Sequence, residues 1–173
     1  MYALVVYESM YGNTKAVAEA VAEGLASVMR AEVAEVATAP DVVGADVGLL
    51  VVGGPTHAFG MSRVSTRQSA AQQAEGAPLV SRGRGVREWL AALRTSSAAL
   101  DAAAFDTRVA KPRMPGSAAG GVARRLRKAG VRLACPARSF YVEGTLGPLL
   151  PGELDRAREW GESLARAHKV PVA

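Results

Sequence analysis

Cysteine and histidine are scarce in this chain. Cys135 is the only cysteine among 173 residues, so no internal disulfide can form. His57 and His168 are the only histidines, and no grouping of His, Cys, Asp and Glu along the sequence has the spacing of a metal site. Serine and aspartate are present, but no nucleophile-elbow motif surrounds them. The sequence therefore predicts neither metal catalysis nor a catalytic triad, and Cys135 is expected to serve in packing.

Long hydrophobic runs are also missing. No apolar stretch approaches the roughly 20 residues that a helix needs to cross a bilayer, and the N-terminus enters a strand-like segment without a basic start or cleavage site. The apolar content of 49% and the charged content of 21% are typical of a globular domain. We therefore expect a single domain over residues 1–173, located in the cytoplasm and without membrane association.

A polar turn near the N-terminus is the most informative segment. The unbroken apolar run over residues 3–7 predicts a strand buried on both faces. Apolar residues then recur at helical spacing at Val17, Val21, Leu25 and Val28. The turn between strand and helix reads Ser9, Met10, Tyr11, Gly12, Asn13 and Thr14. Unpaired amides at a helix start carry the positive end of the helix dipole, so this turn is suited to a phosphate group.

Strands and helices alternate along the rest of the chain. Further strands are predicted near residues 31–37, 47–52 and 102–109, and a fifth begins at Val131 and resumes at 140–142 after Pro136. Helices are predicted over residues 86–93, with Trp89 in the core, over 118–129, and from 152 to about 169. The last helix is expected to turn Leu154, Ala157, Gly161 and Leu164 inward, with His168 at its end. This alternation predicts an α/β fold with a parallel sheet covered on both faces.

Two loops carry a resemblance to the flavodoxin-like family. The 9–14 turn resembles the T-x-T-G-x-T turn that grips the 5'-phosphate of FMN, and its S-M-Y-G start is closer to the NADH:quinone oxidoreductase branch. The loop after the third strand, residues 54–63, resembles the P-T-x-x-F-G stretch that lies against the flavin ring in that branch. The resemblance implies a three-layer sandwich with a five-stranded sheet of order 2-1-3-4-5 and a ligand at the carboxyl ends of strands 1 and 3.

The resemblance also implies FMN as the cofactor and a set of residues that hold it. These are Ser9, Met10, Tyr11, Gly12, Asn13 and Thr14 in the first turn, Pro55, Thr56, His57, Ala58, Phe59 and Gly60 in the second loop, and Thr107 and Arg108 at the end of the fourth strand. The side chains of His57, Phe59 and Met61 are the candidates for the ring face, and His57 is expected to titrate near neutrality. A typical flavodoxin has tryptophan in the second loop and tyrosine in the third, and neither stands at the matching places here.

Acidic residues are few in the middle of the chain. Residues 1–60 hold two basic and seven acidic residues, whereas residues 61–140 hold fifteen basic and four acidic ones. In the predicted winding, the helices before and after the fourth strand share one face of the sheet, so they should form a basic surface that favours acidic partners. No nucleic-acid motif accompanies this charge, and specific nucleic-acid binding is therefore not expected.

Three functions are compatible with these features. The first is an electron carrier that passes electrons between partner proteins with acidic docking surfaces and uses no catalytic residue of its own. The second is an FMN-dependent NAD(P)H:quinone or nitro-compound reductase, which the first two loops favour. The third is a flavodoxin-like module that does not bind FMN and acts as a binding or interaction protein. Flavodoxins that serve as low-potential carriers are typically acidic, so a less negative potential is expected here.

Overall fold

The computed structural model describes residues 1–168. The strands are β1 (Tyr2–Tyr7), β2 (Ala31–Glu35), β3 (Val42–Val43), β4 (Val47–Pro55), β5 (Arg94–Thr95), β6 (Asp101–Val109), β7 (Arg132–Leu133) and β8 (Arg138–Val142). The helices are α1 (Asn13–Ala26), α2 (Val64–Gln73), α3 (Val86–Ala92), α4 (Ala118–Lys128) and α5 (Glu153–Ala167). The predicted end of the last helix near Lys169 lies outside the described residues.

A parallel sheet forms the centre of the molecule. Its strands run in the order β2, β1, β4 and β6, and both β7 and β8 pair in parallel with β6. The predicted α/β fold class is therefore confirmed. The sheet has six strands rather than the predicted five, because two short strands, β7 and β8, stand where one fifth strand was expected. Pro136, which lacks an amide for ladder pairing, lies between these two strands. A separate two-stranded sheet of β3 and β5 was not predicted.

Helices cover both faces of this sheet, as predicted. One core cluster joins the sheet to α3 and α4 and contains the fully buried Trp89. The other joins it to α1 and α5, and Cys135 packs against that cluster. The central strands β1, β4 and β6 are buried almost throughout. Their two-sided burial explains why each one reads as an unbroken apolar run.

Helices α1 and α5 approach each other closely at two glycines. A Cβ atom on Gly24 would lie 2.0 Å from the carbonyl oxygen of Arg158, and one on Gly161 would lie 2.2 Å from the carbonyl oxygen of Val21. Side chains at either position would push the helices apart. The close packing of this pair therefore depends on both glycines.

The structure differs from the sequence-based predictions at three places. Helix α2 was not predicted, because its sequence is polar and buries only Ala70, which leaves no apolar period to detect. Val28 lies beyond the end of α1 and is exposed. Leu154 is also exposed, because its neighbour Glu153 takes the inward position and accepts a hydrogen bond from the Tyr141 amide at 2.8 Å.

The side chain of His168, at the end of α5, contacts the sheet. Its Nδ1 lies 3.0 Å from Asp101 Oδ2 on β6, and Arg132 on β7 donates to the same carboxylate oxygen at 2.7 Å. This contact ties the end of α5 to the start of β6. Among residues 1–168, no helix combines the length and the apolar character that a membrane span requires.

Candidate functional site

A cleft of about 340 Å³ lies where the carboxyl ends of β1, β4 and β6 meet. We call it the first cleft. Predicted site residues line much of it: Ser9, Met10, Tyr11, Asn13, Thr14, Pro55, Thr56, His57, Ala58, Thr107 and Arg108. Three segments that are far apart in the sequence therefore meet at one site, which is where ligands bind in open parallel sheets.

The 9–14 turn forms one end of the first cleft. Gly12 has a left-handed backbone (φ 100°) and directly precedes α1. Its amide donates to Ser9 Oγ at 3.0 Å, which closes the turn. The amides of Asn13, Thr14 and Lys15 belong to the first helical turn and have no partner inside the helix. This end of the cleft therefore offers backbone donors and the positive end of the α1 dipole.

Neighbouring segments hold the turn in place. The Ser9 amide donates to Ser81 Oγ at 2.9 Å, and the Ser81 amide donates back to the Ser9 carbonyl at 2.7 Å. The Tyr11 hydroxyl donates to the Ala70 carbonyl on α2 at 2.8 Å. The Asn13 side chain donates to the Leu146 carbonyl at 3.2 Å, so its amide group is directed to the loop after β8. The turn is thus fixed from three sides.

Thr14 and Thr107 connect the first turn to the end of β6. Their hydroxyl oxygens are 2.6 Å apart, and both residues are buried. Thr107, which was predicted to reach the ring of a cofactor, lines the first cleft, and its hydroxyl lies against the start of α1. The pair fixes the distance between the two walls of the first cleft.

The second loop makes a tight turn with an unusual backbone. His57 and Gly60 pair through 2.8 Å and 3.1 Å hydrogen bonds, and the two residues between them, Ala58 and Phe59, have left-handed φ angles of 45° and 73°. Such angles are strained for residues other than glycine and asparagine. The loop exposes 53% of Phe59. A strained turn therefore stands at the rim of the first cleft.

The His57 ring is partly enclosed by α2. Its Nδ1 lies 3.1 Å from Thr66 Oγ1. Burial, followed by the nearby Arg67 guanidinium, lowers the pKa of His57 below its ordinary value. This shift favours the neutral imidazole, so His57 should titrate at a lower pH than an ordinary histidine.

Some predicted residues do not line the first cleft. Gly12 shapes the turn without lining the cavity, and Phe59 and Gly60 line a second, neighbouring cavity. Met61 is only 6% exposed and belongs to the hydrophobic core. Of the three side chains considered for a ring face, only His57 lines the first cleft.

Thr56 connects the second loop to α4. Its hydroxyl donates to Asp106 Oδ2 and accepts from the Ala118 amide, each at 3.0 Å. Asp106 is fully buried and also accepts from the Ala119 amide at 3.0 Å, so it caps the start of α4. Burial raises the pKa of the Asp106 carboxyl. At the end of β6, the Arg108 guanidinium donates to the Met114 carbonyl at 2.6 Å.

Glu8, at the mouth of the 9–14 turn, is directed away from the first cleft. Its carboxylate is buried and accepts hydrogen bonds from Ser62 Oγ at 2.5 Å and from the Val86 amide at 2.7 Å. Burial raises the pKa of this carboxyl, and the hydrogen bonds together with Arg67 oppose the rise. Glu8 therefore supports the loops beneath the site.

Sequence reasoning missed one wall of the first cleft. This wall comes from α2, with Thr66, Ser69, Ala70 and Gln73, and from the end of β8 and the loop after it, with Val142 and Thr145. The only local signal was Thr66, whose hydroxyl accepts from the Arg63 amide at 2.8 Å and marks the start of α2.

The chemistry of the first cleft suits an anionic ligand group. Within residues 1–168, no Asp or Glu lines it, and no group of three His, Cys, Asp or Glu residues could hold a metal ion. Hydroxyls, backbone amides and Arg108 supply its polar groups. The lining therefore contains hydrogen-bond donors and no carboxylate that would repel a phosphate.

Comparisons with known proteins agree with this architecture. A flavodoxin family model matches residues 5–83, whereas no curated protein matches significantly. A flavodoxin from the domain Archaea shares 20% identity over 98% of this chain and 100% of its own, with a TM-score of 0.64. Flavodoxin 1 from Bacillus cereus shares 14% identity over 96% of this chain and 98% of its own, with a TM-score of 0.68.

The same fold is found within a larger protein. The Flv1 flavodiiron core from Synechocystis matches 98% of this chain with 18% identity and a TM-score of 0.63, and this chain corresponds to 36% of that one. At such identities the structural likeness concerns the fold. The chain is therefore similar to the flavodoxin family model over residues 5–83, and it shares the flavodoxin fold over nearly its whole length.

Proposed function

We propose that this protein binds FMN in the first cleft, with the 5'-phosphate at the 9–14 turn. The proposal rests on the left-handed Gly12, which directly precedes α1 beside the first cleft. The amides of the first helical turn after it have no partners inside the helix. The residues present fit the cofactor, because donors cluster at this end and no carboxylate lines the cavity within the described residues. Arginine is not needed at the phosphate.

The isoalloxazine ring is assigned to the remaining walls. His57 from the second loop, and Arg108 and Val109 from the end of β6, also line the cavity. A neutral His57 can stack on or hydrogen-bond to the ring without repelling it. When bound, the flavin supplies the redox chemistry, and the protein residues bind it, orient it and limit its contact with water.

We further propose that the protein is a cytoplasmic electron carrier. Exposed apolar side chains stand beside the first cleft: Phe59, which is 53% exposed, follows the lining residue Ala58, and Leu146, which is 57% exposed, follows the lining residue Thr145. Such side chains beside a redox site are suited to transient protein contacts. The basic helix α4 on the adjacent face favours partners with acidic docking surfaces.

The test compares FMN with riboflavin, which has the same ring and no phosphate. Titration monitored by flavin fluorescence should give an affinity for FMN about 100-fold higher, since charge-assisted bonds to a phosphate contribute about 3 kcal/mol. FMN bands should also stay with the protein through gel filtration. Equal affinities for the two ligands would contradict the assignment of the 9–14 turn, and no binding of either would favour the module that binds no flavin.

A matched pair of threonine variants localises the phosphate. Thr14→Val removes a hydroxyl at the 9–14 turn and should lower FMN affinity about tenfold. Thr38→Val removes an exposed hydroxyl that does not line the first cleft and is bonded to the Glu35 carbonyl, and it should leave FMN affinity unchanged. Riboflavin affinity should change little in either variant. Equal losses of FMN affinity in both would argue against a phosphate site at Thr14.

The reductase remains the second candidate, because the loop containing Pro55, Thr56 and Phe59 matches that branch. FMN-loaded protein should then consume NADH or NADPH in the presence of a quinone at a rate that saturates with both substrates. A carrier should instead accept electrons from a reductase protein and show negligible NAD(P)H consumption alone. The two outcomes are distinguished in one spectrophotometric assay.

A further inference from the structure

A second cavity of about 640 Å³ lies beside the second loop, on the face of α3 and α4. Four arginines from three parts of the fold line it: Arg63 before α2, Arg87 on α3, and Arg124 and Arg125 on α4. We call it the arginine cleft. Its other lining residues include Gly121 on α4 and the exposed Phe59.

The charges in the arginine cleft are not balanced by the protein. Within residues 1–168, none of its four arginines forms an ion pair, whereas the neighbouring Arg67 pairs with Glu88, and no Asp or Glu lines the cavity. Arg87 is half-buried and the other three arginines are exposed. Like charges brought together around one cavity repel one another. The cavity therefore has an excess of positive charge that an anion would neutralise.

Arg87 is held in a fixed position by hydrogen bonds to the backbone. Its Nε donates to the Ser62 carbonyl at 3.1 Å and its Nη2 to the Met61 carbonyl at 2.8 Å, which fixes the guanidinium at the base of the second loop. Burial, followed by the charges of Arg63 and Arg125, lowers the pKa of Arg87. The arginines are thus close enough to influence one another, and one of them is held in place.

We propose that the arginine cleft binds a phosphorylated small molecule of nucleotide size that carries at least two negative charges. Planar guanidinium groups bind phosphate oxygens in pairs and suit this chemistry better than lysines would. The volume lies within the range of small-molecule sites. The exposed Phe59 ring offers an aromatic surface on which a base can stack. This site is separate from the proposed phosphate end of the first cleft and does not depend on FMN binding.

Isothermal titration calorimetry at 0.15 M salt tests the proposal with ADP, inorganic pyrophosphate and adenosine. ADP and pyrophosphate should bind, and adenosine should not. Each ligand is titrated into protein without flavin and into protein with saturating FMN. Binding of ADP at the 9–14 turn would disappear when FMN is present, which distinguishes it from ADP binding in the arginine cleft. Because the titration without flavin stands alone, a failure of FMN binding would not affect the result.

Two double variants on the same helix locate the site. Arg124→Gln with Arg125→Gln should lower ADP affinity at least tenfold. Arg127→Gln with Lys128→Gln removes the same charge from exposed positions outside the cavity and should change it less than twofold, since salt screens distant charges at 0.15 M. Phe59→Ala should weaken ADP severalfold and leave pyrophosphate affinity unchanged.

Three outcomes would overturn the proposal. One is the absence of ADP and pyrophosphate binding at millimolar ligand in folded protein. Another is an equal loss of affinity in the two double variants, which would indicate a diffuse basic surface. The third is ADP binding that survives Arg124→Gln with Arg125→Gln and disappears with FMN, which would place the nucleotide in the first cleft.

Discussion

Two buried carboxyls lie beneath the loops of the site and make the stability of the protein depend on pH. Glu8 and Asp106 each have a pKa raised by burial. In such a group the folded state binds a proton more tightly than the unfolded state does, so the free energy of unfolding falls as pH rises. The fall begins near the ordinary carboxyl pKa of about 4 and ends above the raised pKa of the folded state.

Glu8→Gln removes one of these titrations. As pH rises from about 4.5 towards neutrality, the free energy of unfolding should fall more in the wild-type protein than in this variant. Urea denaturation at several pH values measures the difference. Glu143→Gln, at an exposed position, is the control and should follow the wild-type profile. A difference between wild type and Glu8→Gln that is constant with pH would contradict the raised pKa.

The strained turn at Ala58 gives a second prediction at the residue scale. Asparagine adopts left-handed angles with less cost than alanine, and a β-branched residue adopts them with more. Because Ala58 is exposed, side-chain burial does not obscure the comparison. Ala58→Asn should raise the free energy of unfolding by about 0.5–1 kcal/mol, and Ala58→Val should lower it by about 1 kcal/mol or more. Thermal denaturation of the pair checks the order, and equal stabilities would mean that the turn adopts another backbone.

At the scale of elements, the contact between α1 and α5 depends on the absence of side chains. Gly24→Ala would place a Cβ atom 2.0 Å from the Arg158 carbonyl oxygen, and only a shift of the helix backbone relieves that clash. We expect a loss of about 2–3 kcal/mol, despite the higher helix propensity of alanine. Gly120→Ala on α4 would place a Cβ atom 3.2 Å from the Ser117 hydroxyl and 3.9 Å from Arg124 Nη1, with no backbone atom in the way, and should cost less than about 1 kcal/mol.

Urea denaturation measures both glycine variants. A Gly24→Ala protein as stable as wild type would mean that the two helices are farther apart than described. Far-UV circular dichroism controls for loss of helix, because a local rearrangement leaves the helical signal intact. Gly161→Ala, which meets the Val21 carbonyl oxygen at 2.2 Å, should repeat the Gly24→Ala result.

Strands and helices with a clear pattern of apolar residues could be predicted from the sequence, and those without such a pattern could not. Strands β1 and β4 are apolar throughout because both of their faces are buried, and α4 and α5 show one apolar stripe. Helix α2 buries a single residue, so no pattern marks it in the sequence. For this reason the wall that α2 gives to the first cleft was missed, whereas the strand-to-helix turn before α1 was found.

At the scale of the whole molecule, part of the positive charge in the middle of the chain is brought together on one face of the sheet. Helices α3 and α4 pack on the same face of the sheet, and the arginine cleft lies between them and the second loop. Positive charge stabilises a reduced, anionic flavin. One charge about 10 Å away at an effective dielectric of about 40 contributes roughly 0.8 kcal/mol, which is on the order of 35 mV for one electron.

Bound FMN should therefore have a less negative reduction potential than in acidic flavodoxins. Redox titration at low and high ionic strength measures it, and the potential should become more negative as salt screens the arginines. Arg124→Gln with Arg125→Gln should shift it in the same direction at low salt. A potential as low as that of acidic flavodoxins and insensitive to salt would contradict this prediction.

The sequence by itself determined the central buried strands, the helices with an apolar stripe and the turn at Gly12, because these features depend on local periodicity and local backbone chemistry. Only the tertiary structure decided which side chains meet. Thr14 reaches Thr107, Glu8 is directed towards Ser62, and Arg63 and Arg124 line one cavity. These pairs are more than 50 residues apart in the chain, so side-chain direction and helix packing bring them together, and no pattern in the linear sequence encodes that proximity.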